Sequence, residues 1–217
     1  GNVPDTLSQL IRTAFIARPG ATLMPVDFSA IEARVIAWLA WCMWRLDVFK
    51  THGKIYEASA EQMFKLPPGS VTKKSPYRQK GKIAELALGY QGGAGALKTM
   101  GALAMGLTED ELDPIKDAWR TANPEIVELW YAVERAAKQA VSRRSSEVLV
   151  VANGWAVLCF TWESGFLTIK LPSGRKLFYV KPRIESEDLI RELASGARFT
   201  VARAGSLTYE GMDRSEE

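Results

Sequence analysis

The spacing of apolar residues changes period along the chain, and the changes mark its elements. Asp5 to Ala17 reads as a short helix or turn running into an extended Ala14-Phe15-Ile16. Thr22 to Val26 are mostly apolar and follow a Pro19-Gly20 turn, which predicts a buried strand ending at Asp27. Ile31, Val35, Ile36, Trp38 and Leu39 then recur at helical spacing, predicting a helix over about 29–39 that continues past a kink through Ala40 to Lys50. Ile55 to Phe64 is a further helix, stopped by Pro67-Pro68-Gly69, and residues 65–76 form a loop. A helix over about 76–90 has Pro76 in its first turn, and Gln91 to Gly95 breaks it before a short helix over Ala96 to Met105. Thr108 and Glu111 form a capping box for a helix to about Thr121, and Asn123-Pro124-Glu125 caps another to about Arg143. Beyond that the period falls to two. Val148–Val151, Trp155–Phe160 and Phe166–Leu171 read as strands, and Pro172-Ser173-Gly174 turns the last of these back into Lys176–Val180 as a hairpin. Ser186 to Ala194 reads as a short helix, Arg198 to Tyr209 as one more strand, and the end as a charged tail. The class is α+β, a mainly helical middle between β-containing ends.

Composition adds limits. A chain of 217 residues with 47% hydrophobic and 24% charged residues can bury a core in one or two domains. Net charge of +3 permits nucleic acid without requiring it, so the distribution of charge matters more than its sum. Cys42 and Cys159 are far apart, form no paired motif, and read as free thiols. With His52 as the single histidine, no zinc site can be assembled. No signal pattern and no long apolar run is present, so the expectation is an intracellular soluble protein with no membrane partner. Trp41-Cys42-Met43-Trp44 is unusually apolar and should be exposed unless something packs on it.

Two groups of residues carry candidate chemistry. Asp27 stands where the predicted strand meets the predicted helix, a place that suits a hard cation and equally suits a solvated strand end. Ser29 and Glu32 have capping-box spacing, which accounts for both without further function. From Gln62 to Ala84 there are six basic residues and no acid: Lys65, Lys73, Lys74, Arg78, Lys80 and Lys82. Arg78 and Lys82 share one helix face, where like charges cost a few tenths of a kcal/mol unless an anion sits between them. The plain reading is a solvated basic face. The sharper one is a helix presenting Arg78, Lys82, Leu86 and Tyr90 in succession to a triphosphate, a sugar and a base.

Asp27-Phe28-Ser29-Ala30-Ile31-Glu32-Ala33-Arg34 resembles motif A of family A DNA polymerases, usually Asp-Tyr-Ser-Gln-Ile-Glu-Leu-Arg. Arg78-x3-Lys82-x7-Tyr90 resembles motif B on the O helix of their fingers. Leu88 to Gly93, Leu-Gly-Tyr-Gln-Gly-Gly, is similar to the bacteriophage-type branch, and the resemblance covers roughly residues 6–211. It implies a right-hand polymerase fold with a palm segment over 1–39, helical fingers over 40–143 and a β-rich palm-side segment over 144–217. It also implies template-directed addition of deoxynucleotides to a primer 3′ end. Asp27, with the Phe28 carbonyl, would hold catalytic Mg²⁺ in a two-metal site. Lys82 would be both catalytic and nucleotide-binding, as proton donor to pyrophosphate. Arg78 would hold the triphosphate, Glu32 would sense the sugar, Leu86 would face the deoxyribose and Tyr90 would stack near the templating base. Tyr90, Gln91, Lys73 and Lys74 would contact DNA. The implied partners are primer-template DNA and deoxynucleoside triphosphates, in a bacterial or phage-infected cytoplasm.

The departures are specific. Leu86 stands where the family often has Phe, Gln91 where it has Gly, and Tyr56 where many members place a phosphate-contacting His. Trp41-Cys42-Met43-Trp44 stands where the family commonly has a short polar turn such as Gly-Glu or Gly-Asp. Motif C, a His-Asp-Glu on a hairpin after motif B, has no counterpart; Glu187-Asp188 opens a predicted helix and Glu216-Glu217 ends the sequence. The expectation is therefore a polymerase piece inactive alone, whose second aspartate comes from elsewhere, including a possible second chain. The alternative is a non-catalytic module that binds nucleic acid or a partner protein.

Overall fold

The computed structural model describes residues 3–185, 188–192, 198–202 and 205–211. The chain divides into two units, Gly1–Ile31 and Glu32–Glu217. In the first, helix α1 (Val3–Ile11) ends in a 3-10 turn over Arg12–Ala14. The Pro19-Gly20 turn forms as expected, with Gly20 at φ 78 and the Ala21 amide on the Arg18 carbonyl at 2.9 Å. The predicted strand does not: residues 15–30 contain no strand, and Leu23, Met24, Val26 and Phe28 are exposed. A strand is stabilised by ladder bonds to a neighbour, and among the described residues no strand pairs with this stretch. The apolar spacing is compatible with a strand, but it cannot supply the partner.

The second unit opens within helix α2 (Ile31–Ala40), whose first residue belongs to the first unit, followed by α3 (Met43–Thr51), α4 (Ile55–Phe64), α5 (Pro76–Leu88), α6 (Ala94–Thr99), α7 (Glu109–Ala122) and α8 (Pro124–Arg143). Helix α2 opens at Ile31, one residue later than a Ser29 capping box requires. At its other end Trp41 takes φ 54, the left-handed position after a helix that glycine fills best. The Trp41–Trp44 stretch is packed upon in part, with Trp41 and Trp44 half-buried and Met43 exposed. Cys42 is fully buried, and the Trp44 indole donates to the Ala122 carbonyl at 3.0 Å. Burial, and then the neighbouring Glu125 carboxylate, push the Cys42 thiol up to about 12. The capping box of α7 is present as read. Asn123 does not cap α8; its side chain turns inward, donating to the Trp119 carbonyl at 2.8 Å and accepting from Arg45 at 3.0 Å. Helix α6 begins earlier and ends sooner than expected, giving way to turns after Thr99. One core joins these helices through Ile83, Leu88, Leu97, Leu112, Trp119 and Ile126.

Strands β1 (Ser146–Val151), β2 (Ala156–Glu163), β3 (Phe166–Lys170), β4 (Lys176–Glu185) and β7 (Ser206–Glu210) form one antiparallel sheet in the order β1-β2-β3-β4-β7. The predicted hairpin is β3-β4, with Phe166 opposite Val180. A second core forms where Ala136, Ala137, Ala140 and Val141 of α8 meet Leu158, Phe160 and Leu167. The run of alanines keeps that helix face small enough to lie close to the sheet. Two expectations are corrected here. The predicted helix over 186–194 is strand β5 (Asp188–Glu192) where described, paired with β6 (Arg198–Ala202), and the single predicted strand over 198–209 is β6 and β7. The ladder partner decided the first: the β5–β6 pairing satisfies backbone groups that a short isolated helix would leave exposed at both ends. The charged tail over 212–217 lies outside the described residues. Among the described residues no helix is long and apolar enough to cross a membrane.

Candidate functional site

Helix α5 is the best-anchored element that carries candidate residues. Ser75 caps it, its side chain accepting from the Tyr77 amide, and Pro76 occupies the first helical position where a missing N–H costs nothing. Gly81 lets α5 lie directly on α4: a Cβ there would stand 2.2 Å from the Tyr56 carbonyl oxygen. The buried side of α5 carries Ile83, Ala84, Ala87 and Leu88, and among them one acid, Glu85. Its carboxylate is held from three other helices. Arg45 of α3 donates through both terminal nitrogens, Ser59 of α4 donates at 2.8 Å, and the Trp119 indole of α7 at 2.9 Å. Asn123 holds Arg45 from its other side at 3.0 Å. This buried node fixes the roll of α5 and hence what its other side presents.

That other side carries Arg78 and Lys82, both half-buried, then Leu86 and Tyr90, both exposed. Arg78 is not simply solvated: its Nε donates to Glu57 of α4 at 2.8 Å, and its guanidinium lies 5.6 Å from the Tyr56 ring centre. Lys80 pairs with Glu111 of α7. Lys82 has no ion pair among the described residues. The acid-free stretch from Gln62 to Ala84 is thus partly neutralised from α4 and α7, and Lys82 is the cation left over on this face. Tyr90 lies just past the helix end, and its phenol is raised above the ordinary value, first by partial burial and then by the Glu32 carboxylate. Glu32 and Tyr90, from motifs far apart in sequence, are therefore electrostatic neighbours.

Gln91 takes φ 63, which gives the usual glycine at that position a conformational reason. Gly92 has a steric one, since a Cβ there would stand 2.2 Å from the Ala87 carbonyl. Lys73 and Lys74 are exposed in the loop before α5. His52 closes α3, its Nδ1 accepting from the Lys54 amide at 3.0 Å.

Asp27 and Phe28 lie in the exposed irregular stretch of the first unit. No group of three or more His, Cys, Asp or Glu side chains able to hold a metal ion occurs among the described residues. One carboxylate with a backbone carbonyl does not fit a pair of divalent cations, which need several charged oxygens. The described residues do not by themselves build the two-metal site.

Sequence reasoning passed over Glu57, Arg45 and Glu85. Glu85 carried a readable signal, a lone acid on the apolar side of a helix over Ile83 to Leu88. Glu57 and Arg45 carried none, because their partners lie in other helices.

The profile of DNA polymerase family A matches residues 1–145. A DNA polymerase of Bacillus phage SP02 is 57% identical over 211 residues, covering 97% of this chain and 30% of the relative. The thermostable DNA polymerase I of Thermus thermophilus is 39% identical over 72 residues, covering 32% of this chain and 9% of the relative. The chloroplastic/mitochondrial DNA polymerase I A of Arabidopsis thaliana is 25% identical over 163 residues, covering 64% of this chain and 14% of the relative. The chain spans less than a third of the length of each of these relatives.

Proposed function

The chain belongs to DNA polymerase family A, and from that membership we propose that it carries the incoming-nucleotide face of a template-directed DNA polymerase. Helix α5 and its flanks would form the fingers, within the divisions 1–39, 40–143 and 144–217. The observation that supports this most is Lys82, a half-buried cation without an ion pair among the described residues, in line with Arg78 and Leu86 on one side of α5, with Tyr90 just past the helix end and the opposite side locked by Glu85. A triphosphate suits that arrangement because Lys82 offers a point charge and Arg78 a planar fork. Leu86 would meet the sugar, Glu32 would limit its 2′ substituent, and Tyr90 and Gln91 would face the template, with Lys73 and Lys74 on DNA phosphates. When bound, Mg²⁺ supplies charge neutralisation for the triphosphate. Asp27 and the Phe28 carbonyl would be this chain's contribution to holding it, together with further carboxylates. Lys82 would deliver a proton to the departing pyrophosphate. The substrates would be primer-template DNA and deoxynucleoside triphosphates, in the cytoplasm of a bacterial or phage-infected cell.

Fluorescence titration with a methylanthraniloyl derivative of dATP tests this reading. Lys82→Ala should weaken binding about tenfold, the size expected for a charge-assisted contact, with thermal stability unchanged. Equal affinity for both proteins would reject it. The 217-residue polypeptide should not extend a primer by itself. In a polymerase completed by the remaining segments, Asp27→Asn should abolish extension and keep DNA binding. Loss of neither activity would favour a module that only binds nucleic acid or protein.

A further inference from the structure

We propose that Glu57 is a positioning residue for nucleotide binding, holding the Arg78 guanidinium by its inner nitrogen so that its outer edge is presented to the triphosphate. This rests on the reading of α5 as the nucleotide face. The Arg78 Nε donates to Glu57 Oε1 at 2.8 Å, and that is the guanidinium's one hydrogen bond among the described residues. A guanidinium carries five N–H donors in a rigid plane, so using the single Nε–H leaves the four on the two terminal nitrogens available. Those are the donors that fork onto phosphate oxygens. The side chains of Glu57 and Arg78 are 9% and 26% exposed, so the anchoring carboxylate is covered while the guanidinium still reaches solvent.

Two further features hold the same geometry. The Tyr56 ring lies 5.6 Å from the guanidinium carbon and limits its swing. Gly81, one turn of α5 beyond Arg78, lets α4 and α5 approach closely enough for the two side chains to meet. Tyr56 and Glu57 are adjacent on α4, so one short stretch contributes both restraints. An Arg side chain loses much rotamer freedom on binding a ligand. Fixing it beforehand removes part of that cost, as does any preorganised contact.

Acceptor and charge can be separated by two substitutions. Glu57→Gln keeps an oxygen that can accept from Nε and removes the negative charge. Glu57→Ala removes both. If Glu57 positions Arg78, Glu57→Gln binds methylanthraniloyl-dATP as tightly as the parent or tighter, and Glu57→Ala binds several-fold more weakly at unchanged thermal stability. Inorganic tripolyphosphate, used as competitor, should follow the same order, because the contact is to phosphate and not to base. If the carboxylate merely repels the triphosphate, both variants bind more tightly, and the proposal fails. If Glu57 only stabilises α4, both lose thermal stability together with affinity, and the proposal fails again. Arg78→Ala separates this inference from the reading it rests on. Weaker binding by Arg78→Ala alongside parental binding by Glu57→Ala overturns the positioning role alone. Parental binding by Arg78→Ala overturns the nucleotide face itself.

Discussion

The stretch carrying Asp27 and the helix carrying Arg78 are equally conspicuous in sequence, yet they are held very differently. Helix α5 is gripped through Glu85 by side chains of α3, α4 and α7 and lies against α4 through Gly81. Residues 15–30 form no regular element, and Met24, Val26 and Phe28 are each more than three-quarters exposed. A face that is to hold phosphate needs a helix with one side anchored, and α5 is anchored in that way. A metal-holding strand tip needs ladder partners and several carboxylates; among the described residues no strand pairs with residues 15–30, and no group of three or more His, Cys, Asp or Glu side chains gathers to hold a metal ion. One motif is complete within its own helical neighbourhood; the other depends on structure it does not itself contain.

The sharpest way to break this contrast is to empty the node. Glu85→Ala leaves Arg45 buried without its counter-charge, which typically costs about 3–5 kcal/mol, and urea denaturation should report a loss of that order. A loss below about 1 kcal/mol would mean that α5 is not anchored where the contrast places it. Gly81→Val should cost about 1–3 kcal/mol through overpacking against the Tyr56 carbonyl, less whatever helix propensity returns. Val26→Ser is the opposite test. Val26 is 86% exposed, so the same denaturation experiment should move by no more than about 0.5 kcal/mol. A larger loss would show that the Asp27 stretch is packed after all.

The smallest effect is read by titration. The Tyr90 phenol is raised by partial burial and by Glu32. A phenol held protonated in the folded state contributes stability that is whole below its unfolded value, near pH 10, and is lost as pH rises through the folded one. Glu32→Gln should lower the Tyr90 midpoint towards the ordinary value, followed by phenolate absorbance. An unmoved midpoint would separate the two motifs that this pair brings together.

Much of the helical half is legible from sequence. Pro76, the Thr108–Glu111 box and the periodic apolar residues of α4, α5 and α8 place those helices to within a few residues. The β3-β4 hairpin is legible too, because Pro172-Ser173-Gly174 lies between two alternating runs. Elsewhere, pattern alone misleads. Asn123 has the residue type and place of a cap, but a buried Arg45 claims its oxygen. Asp188 to Glu192 lies within a plausible short helix, but β6 offers it a ladder. Trp41 and Gln91 take positive φ, a backbone demand that neither residue type announces in sequence.

By itself the sequence determined most of the helices, the capping box of α7, the two motifs and the family to which the chain belongs. The tertiary structure decided which of those residues have partners among the described residues: Arg78 is tethered to Glu57, Lys80 is spent on Glu111, Lys82 has no ion pair, and Asp27 stands on no strand. The reason is the range of the forces. Helix bonds and caps close within four residues and can be read locally. Ladder bonds and buried ion pairs join residues brought together only by folding, and no local pattern names the partner.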